Sequence, residues 1–179
     1  MLENCPPRVR FGLLVLFAVS TADAASAAGP TTCPPGGIDA TALVCEINAA
    51  RASAGRAELA ATPALARAAT AHATDMVERH YFAHDSPGGG TPVTRARRAG
   101  YLRGMERWAI GEVLIWNRGS PVTAAAAVAA WLASPDHRRI LLRRRYEDVG
   151  AGIVPGAPLG DPALQPATTI AVSLGRREG

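Results

Sequence analysis

The spacing of apolar residues predicts five helical segments separated by short polar or glycine- and proline-rich stretches. In each segment apolar residues recur every three or four positions, which is the period of a helix with one buried face. Several segments begin next to a proline or end at a glycine, as helices commonly do. The predicted helices cover residues 38–54, 63–80, 91–100 and 121–133, and a fifth begins at Pro135.

Three later segments are rich in β-branched and aromatic residues and predict strands at residues 108–116, 146–155 and 167–175. The last two are joined by a proline- and glycine-rich loop, so we expect them to pair antiparallel. Five residues of the first strand share one face if it is regular: Trp108, Ile110, Glu112, Leu114 and Trp116. Helices early and strands late predict a single α+β domain.

The N-terminus has the pattern of a secretory signal. Arg8 and Arg10 precede an apolar run at 11–19, which is shorter than the roughly 20 residues of a membrane-spanning helix. Small residues follow, so we expect cleavage after Ala24 or Ala27 and a secreted or periplasmic product. The predicted organisation is a signal at 1–24, a proline- and glycine-rich arm at 25–37, a folded domain at 38–175 and a tail at 176–179.

Cys33 and Cys45 are the two cysteines that remain after removal of the signal. In an exported chain such a pair predicts one disulfide, and a metal site is disfavoured because no other Cys or His lies near either residue. The formal net charge is +4 and every basic residue except histidine is an arginine. This balance favours some affinity for anionic surfaces and excludes no globular class.

Five arginines follow or end the last predicted helix: Arg138, Arg139, Arg143, Arg144 and Arg145. They are expected either to bind an anionic polymer or to form a solvated helix end, where cations are favourable. No aromatic residues are interleaved for base stacking, so no nucleic acid is expected as a partner. Arg95, Arg97 and Arg98 are expected on the solvent-exposed face of the third helix.

Two histidines are candidate site residues. Ser134 can cap the helix that Pro135 begins, which places His137 in its first turn. The positive helix end favours the neutral imidazole, the form that binds a metal or accepts a proton. His84 follows an aromatic pair on the glycine-rich loop 81–90, where it is either a site residue or simply an exposed polar residue.

Glu112 is the candidate acid, because its predicted strand is otherwise apolar. A buried carboxylate needs a partner, and such surroundings tend to shift a pKa. The alternative is a structural glutamate satisfied by an arginine or by backbone amides. His72 lies on the buried face of the second helix, where we expect a hydrogen-bonded core histidine rather than a ligand.

Several motifs in order along residues 43–174 resemble the bacterial SCP-like branch of the CAP superfamily. They are Ile47-Asn48-x-x-Arg51, Tyr81-Phe82-x-His84-x-Ser86-Pro87, Gly111-Glu112, Trp131-x-x-Ser134-Pro135-x-His137-Arg138 and Val149-Gly150-x-Gly152. The resemblance implies a three-layer α-β-α sandwich with a small, mainly antiparallel central sheet. It also implies a cleft in which His84 and His137 bind a divalent cation, often zinc, beside Glu112.

The chain departs from the family pattern at the end of this cleft. Ser134 stands where some members carry a second glutamate, and Asp136 stands where the branch usually has glycine. Asp136 would then either supply the missing carboxylate or stabilise the helix start.

The expected function is that of an exported, monomeric module that binds a lipid or a cell-envelope component and holds zinc. No residue is firmly catalytic, since the sequence has no His-Glu-x-x-His helix and no Gly-x-Ser-x-Gly elbow. The alternative is a metal-dependent hydrolase of peptide or envelope polymer, with Glu112 and Asp136 as its catalytic groups.

Overall fold

The computed structural model describes residues 32–119 and 122–179, so the predicted signal segment lies outside the described residues. The elements are α1 (Ala40–Ser53), β1 (Ala60–Ala61), α2 (Pro63–Glu78), α3 (Pro92–Arg98), β2 (Arg107–Arg118), α4 (Ala124–Ala133), α5 (Pro135–Leu141), β3 (Asp148–Pro155), a 3₁₀ turn (Pro162–Leu164) and β4 (Ala167–Glu178). No helix within these two ranges is long and apolar enough to cross a membrane.

The sheet has the strand order β1-β3-β4-β2. The β2–β4 and β3–β4 pairs are antiparallel and the short β1–β3 pair is parallel. Strand β1 was not predicted, because two residues are too few for an alternating pattern. Strands β2 and β4 exceed their predicted lengths because they pair with each other over their whole length, from Arg107 opposite Glu178 to Arg118 opposite Ala167.

Helices cover both faces of the sheet, which confirms the α-β-α sandwich. On one face, buried residues of α1, α4 and α5 pack against alternate residues of β2, including Ala109 and Val113. On the other face, α2 and α3 pack against Ile110 and Leu114. Because alternate residues of a strand point to opposite faces, Glu112 lies on the α2 and α3 side.

Helix α2 lies directly on β3, at two glycines of the Val149-Gly150-x-Gly152 motif. A Cβ atom at Gly150 would overlap the backbone of Ala66, and one at Gly152 would overlap the backbone of Thr70. The motif therefore lets the helix backbone approach the sheet more closely than any side chain would allow.

The N-terminal end of the domain is fastened covalently and by hydrogen bonds. The predicted disulfide between Cys33 and Cys45 is present and ties the proline-rich arm to α1. Asp39 caps α1 by accepting a hydrogen bond from the Ala42 amide at 2.8 Å. From the same helix, the buried Arg51 guanidinium donates to the carbonyl of Leu141 at 2.6 Å, which holds the end of α5.

Candidate functional site

The candidate site is built around Glu112, on the edge strand β2. Its side chain is 1% exposed. Its Oε1 accepts a hydrogen bond from Nδ1 of His84 at 2.9 Å, and its Oε2 accepts one from Nη2 of Arg95 at 2.9 Å. Both carboxylate oxygens are therefore engaged, which is what a buried carboxylate requires.

His84 presents the exposed part of this arrangement, with a side chain that is 51% accessible. Because an ionised carboxylate can only accept, Nδ1 must carry the proton that is shared with Glu112. In the neutral ring Nε2 is then the unprotonated nitrogen. The hydrogen bond to Glu112 raises the pKa of His84 above its usual value of 6.5, and burial only partly offsets this.

Arg95 is the residue that sequence reasoning missed. The expectation that it lies on the solvent-exposed face of its helix is wrong, since it is only 7% exposed. Besides Glu112, its guanidinium donates to the carbonyl of His84 at 2.7 Å and to that of Gly90 at 3.0 Å. One arginine thus holds this loop at His84 and at its last residue, Gly90, and neutralises the buried carboxylate.

The start of α3 determines where Arg95 lies. Thr91 and Thr94 form a capping box, in which each side chain bonds the backbone amide of the other residue. The helix therefore begins directly after the loop, and its first turn brings Arg95 back beside Gly90. The sequence contains this capping pattern, but the pattern predicts only where the helix starts and not that Arg95 is buried.

His72 is buried and its Nε2 lies 3.0 Å from the Ala83 carbonyl, which confirms the prediction of a hydrogen-bonded core histidine. The same nitrogen is 3.6 Å from Oε1 of Glu112. Burial is the main reason that the pKa of His72 is lowered below 6.5, although the charge of Glu112 opposes the shift. Near neutral pH the counter-charge of Glu112 is therefore Arg95 rather than His72.

His137 lies in the first turn of α5, as predicted, and is half-buried. Helix α5 belongs to the layer that covers the opposite face of the sheet, although it packs against the edge strand β2. In the described part of the chain, no hydrogen bond or ion pair joins His137 to His84 or Glu112. Nor do residues 32–119 and 122–179 contain three His, Cys, Asp or Glu side chains grouped so that they could hold a metal.

The predicted metal ligands therefore differ in how well they suit a divalent cation. His84 suits it, because a carboxylate that accepts from one ring nitrogen is the usual support of a histidine that ligates through the other. Glu112 suits the role of that support rather than of a ligand, since Arg95 and His84 occupy both its oxygens. Metal binding by His84 and His137 stays a prediction.

The other cleft residues are placed around α5. Ser134 holds the N-cap position with extended backbone angles, but its side chain makes no capping hydrogen bond. Asp136 is exposed and accepts a hydrogen bond from Arg139 at 2.8 Å. The five arginines of the predicted polyanion surface are exposed on α5 and the turn after it, as either expectation requires: Arg138, Arg139, Arg143, Arg144 and Arg145.

The family model described as CAP, the cysteine-rich secretory protein family, matches residues 44–170. The chain belongs to the CAP family. Among curated proteins, the uncharacterised protein YkwD of Bacillus subtilis is 30% identical to this CAP chain over 109 residues, which cover 60% of this chain and 39% of YkwD. The uncharacterised membrane protein YlbC of Bacillus subtilis is 33% identical over 106 residues, covering 59% of this chain and 29% of YlbC. The chain thus spans well under half the length of either.

Two solved structures share the CAP fold. An extracellular protein containing an SCP domain from Bacillus anthracis superposes with a TM-score of 0.60 at 26% identity, over 76% of this chain and 40% of that one. An outer surface protein of Borrelia burgdorferi superposes with a TM-score of 0.61 at 22% identity, over 76% of this chain and 90% of that one. The first is described as extracellular and the second as lying on the outer surface.

Proposed function

We propose that this CAP domain is an exported binding module. Its cleft holds a divalent cation, with zinc as the expected metal, and the domain binds a cell-envelope component. One observation carries the metal part of the proposal: the half-exposed His84 is oriented by a carboxylate that is itself buried and fixed by Arg95. Export is supported by the signal pattern of residues 1–24 and by the descriptions of the two structural relatives.

In this proposal His84 supplies the first imidazole ligand through Nε2, and His137 supplies the second. The choice of His137 rests on its place in the motif that resembles the CAP pattern and on its half-buried position in the first turn of α5. A bound divalent ion would supply Lewis acidity and an acidified water. Binding would weaken as pH falls, since the raised pKa of His84 favours the protonated ring, which cannot ligate.

A zinc titration by calorimetry tests this proposal. We expect zinc uptake to be lost in His84→Ala and strongly weakened in His137→Ala. His80→Asn is the matched control, because His80 is exposed and its positive φ of 57° is one that asparagine tolerates. Wild-type affinity in both site variants would refute the metal assignment. Loss in His84→Ala alone would remove His137 from it.

The same preparations can be tested for hydrolysis, which is the alternative function. If the protein hydrolyses a peptide or muropeptide library and chelation abolishes that activity, the domain is a hydrolase rather than a binding module. Zinc binding without turnover supports the module.

An acyl chain is the envelope component that a second observation favours. A cleft of about 320 Å³ lies between α1, α2 and the β1–β3 edge, and its walls are mostly apolar. Its wall residues include Val44, Pro63, Ala66, Val149 and Ala151. Thr41 lies at its exposed rim, so Thr41→Trp should obstruct the cleft without disturbing the core. Fatty-acid binding that is lost in this variant supports the assignment, and unchanged binding refutes it.

A further inference from the structure

We propose that the cleft between α2, residues 86–90 and α3 binds a small anionic group, a phosphate or a carboxylate, through a cluster of arginines. The cleft has a volume of about 490 Å³ and is distinct from the exposed face of His84 and from the apolar cleft near α1. Its basic lining comes from α2, the residue after α2, and α3: Arg67, Arg79, Arg95 and Arg98. The proposal does not depend on metal binding.

The charge of the lining favours an anion. Four guanidinium groups line the cleft with one carboxylate, that of Asp75, and the charge of one of them, Arg95, is balanced by Glu112 behind the cleft wall. Burial opposes ionisation of Asp75, but hydrogen bonds from Tyr81, Ser86 and Arg79 outweigh it and lower its pKa below the usual 3.8. Asp75 therefore stays charged, and the cleft still has an excess of positive charge. Like charges gathered in one concave site repel one another, and an anion bound among them relieves that repulsion.

Arg95 lines the cleft with its terminal nitrogens already bonded to the protein. Its Nη1 and Nη2 groups are bonded to Gly90, His84 and Glu112. Its Nε–H is buried and has no acceptor among residues 32–119 and 122–179. That nitrogen is not accessible from the cleft, so Arg95 adds positive charge to this wall rather than a free donor.

Two of the other arginines are held in place at the exposed side of the cleft. Arg67 donates from Nη2 to the Ala99 carbonyl at 3.0 Å, which bridges α2 and the end of α3. Arg79 lies 3.4 Å from Oδ1 of Asp75. A guanidinium has five N–H donors, so these contacts leave most of each group free for a ligand.

The size and walls of the cleft limit the ligand to a small group. Apart from the charged and polar residues, the lining consists of alanines and glycines: Ala68, Ala71, Gly88, Gly90 and Ala99. A cleft of this volume accommodates a ligand of about the size of one or two sugar units. Planar guanidiniums suit phosphate and carboxylate equally well, so the two groups are tested separately.

Calorimetric titration of the purified protein in metal-free buffer tests the proposal. The probes are inorganic phosphate and glucuronate, with glucose as the neutral comparison. We expect saturable binding of at least one anion and none of glucose. Arg98→Gln, at an exposed position, should weaken binding about tenfold.

Arg97→Gln is the matched control, because it makes the same change of charge on the same helix. The Arg97 guanidinium lies over the Trp108 ring at 5.7 Å and does not line the cleft. Phosphate binding alone would identify a phosphate site, and glucuronate binding alone a carboxylate site. Equal weakening in Arg97→Gln and Arg98→Gln, or no binding of either anion, would overturn the proposal. Circular dichroism of each variant confirms that it is folded.

Discussion

Replacing Arg95 with methionine tests whether the arginine holds the candidate site together. Methionine keeps most of the length of the side chain and removes the charge and the hydrogen bonds. Glu112, which is 1% exposed, would lose the arginine that it pairs with. The carbonyls of His84 and Gly90 would each lose a hydrogen bond, although the Ser86 amide still donates to Gly90. The loop that carries His84 would then be attached less firmly to α3.

The expected loss of stability follows from the burial of the pair. Removing one partner of a buried ion pair costs about 3–5 kcal/mol, because the other charge is left uncompensated. That is a large part of the roughly 5–15 kcal/mol by which domains are usually stable. For a domain of this size it corresponds to a fall in Tm of about 6–20 °C.

Urea and thermal unfolding measure this loss, and two further variants make the result specific. Arg97→Met lies on the exposed side of the same helix and should cost less than about 1 kcal/mol. The double variant Arg95→Met, Glu112→Leu should recover most of the loss, because it removes both charges. If Arg95→Met unfolds at the same urea concentration as Arg97→Met, the buried pair is not what holds the loop.

Two further predictions concern the packing of α2 and the state of His84. Gly152→Ala should lower the free energy of unfolding by about 3 kcal/mol, measured with urea, because the new Cβ meets the backbone of Thr70. Gly37→Ala is the control and should lower it by less than about 0.5 kcal/mol, because its Cβ would make only an ordinary contact with Asp39. For His84, the pKa is raised in the folded state by Glu112, so its stabilising effect is complete below the usual 6.5 and is lost as pH rises through the raised value. In metal-free buffer the stability difference between wild type and His84→Gln should be larger at about pH 5 than at about pH 8.5; an equal difference would contradict the assigned hydrogen bond.

The layers of the fold could be predicted because they depend on long periodic segments. The buried stripe of α2 and the apolar run around Glu112 each indicate an element and its inner face. Strand β1 could not be found this way, since it consists of two residues that pair only because β3 lies beside them. The end of β4 at Glu178 was likewise set by its partner β2 rather than by its own residues.

The site was predicted in part for a similar reason. A carboxylate in an apolar strand had to be buried with a partner, and an arginine is one of the groups that can satisfy it. The sequence does not identify which arginine this is, because Arg95 and Arg97 flank the apolar face of α3 on opposite sides. Only the position of the loop 81–90 decides which of the two becomes buried, and that position depends on contacts far apart in sequence.

Both Glu112 oxygens accept hydrogen bonds, so only some substitutions near them can change zinc binding without also changing the stability of the fold. Any change at Glu112 alters the Arg95 pair and the orientation of His84 together, so a loss of zinc uptake there would not distinguish a ligand from a support. His84 is half-exposed and its Nε2 takes no part in the buried network. Suppose that zinc affinity falls in His84→Ala while the urea midpoint at about pH 8.5 stays near that of wild type. The metal is then bound by the ring nitrogen rather than by the carboxylate.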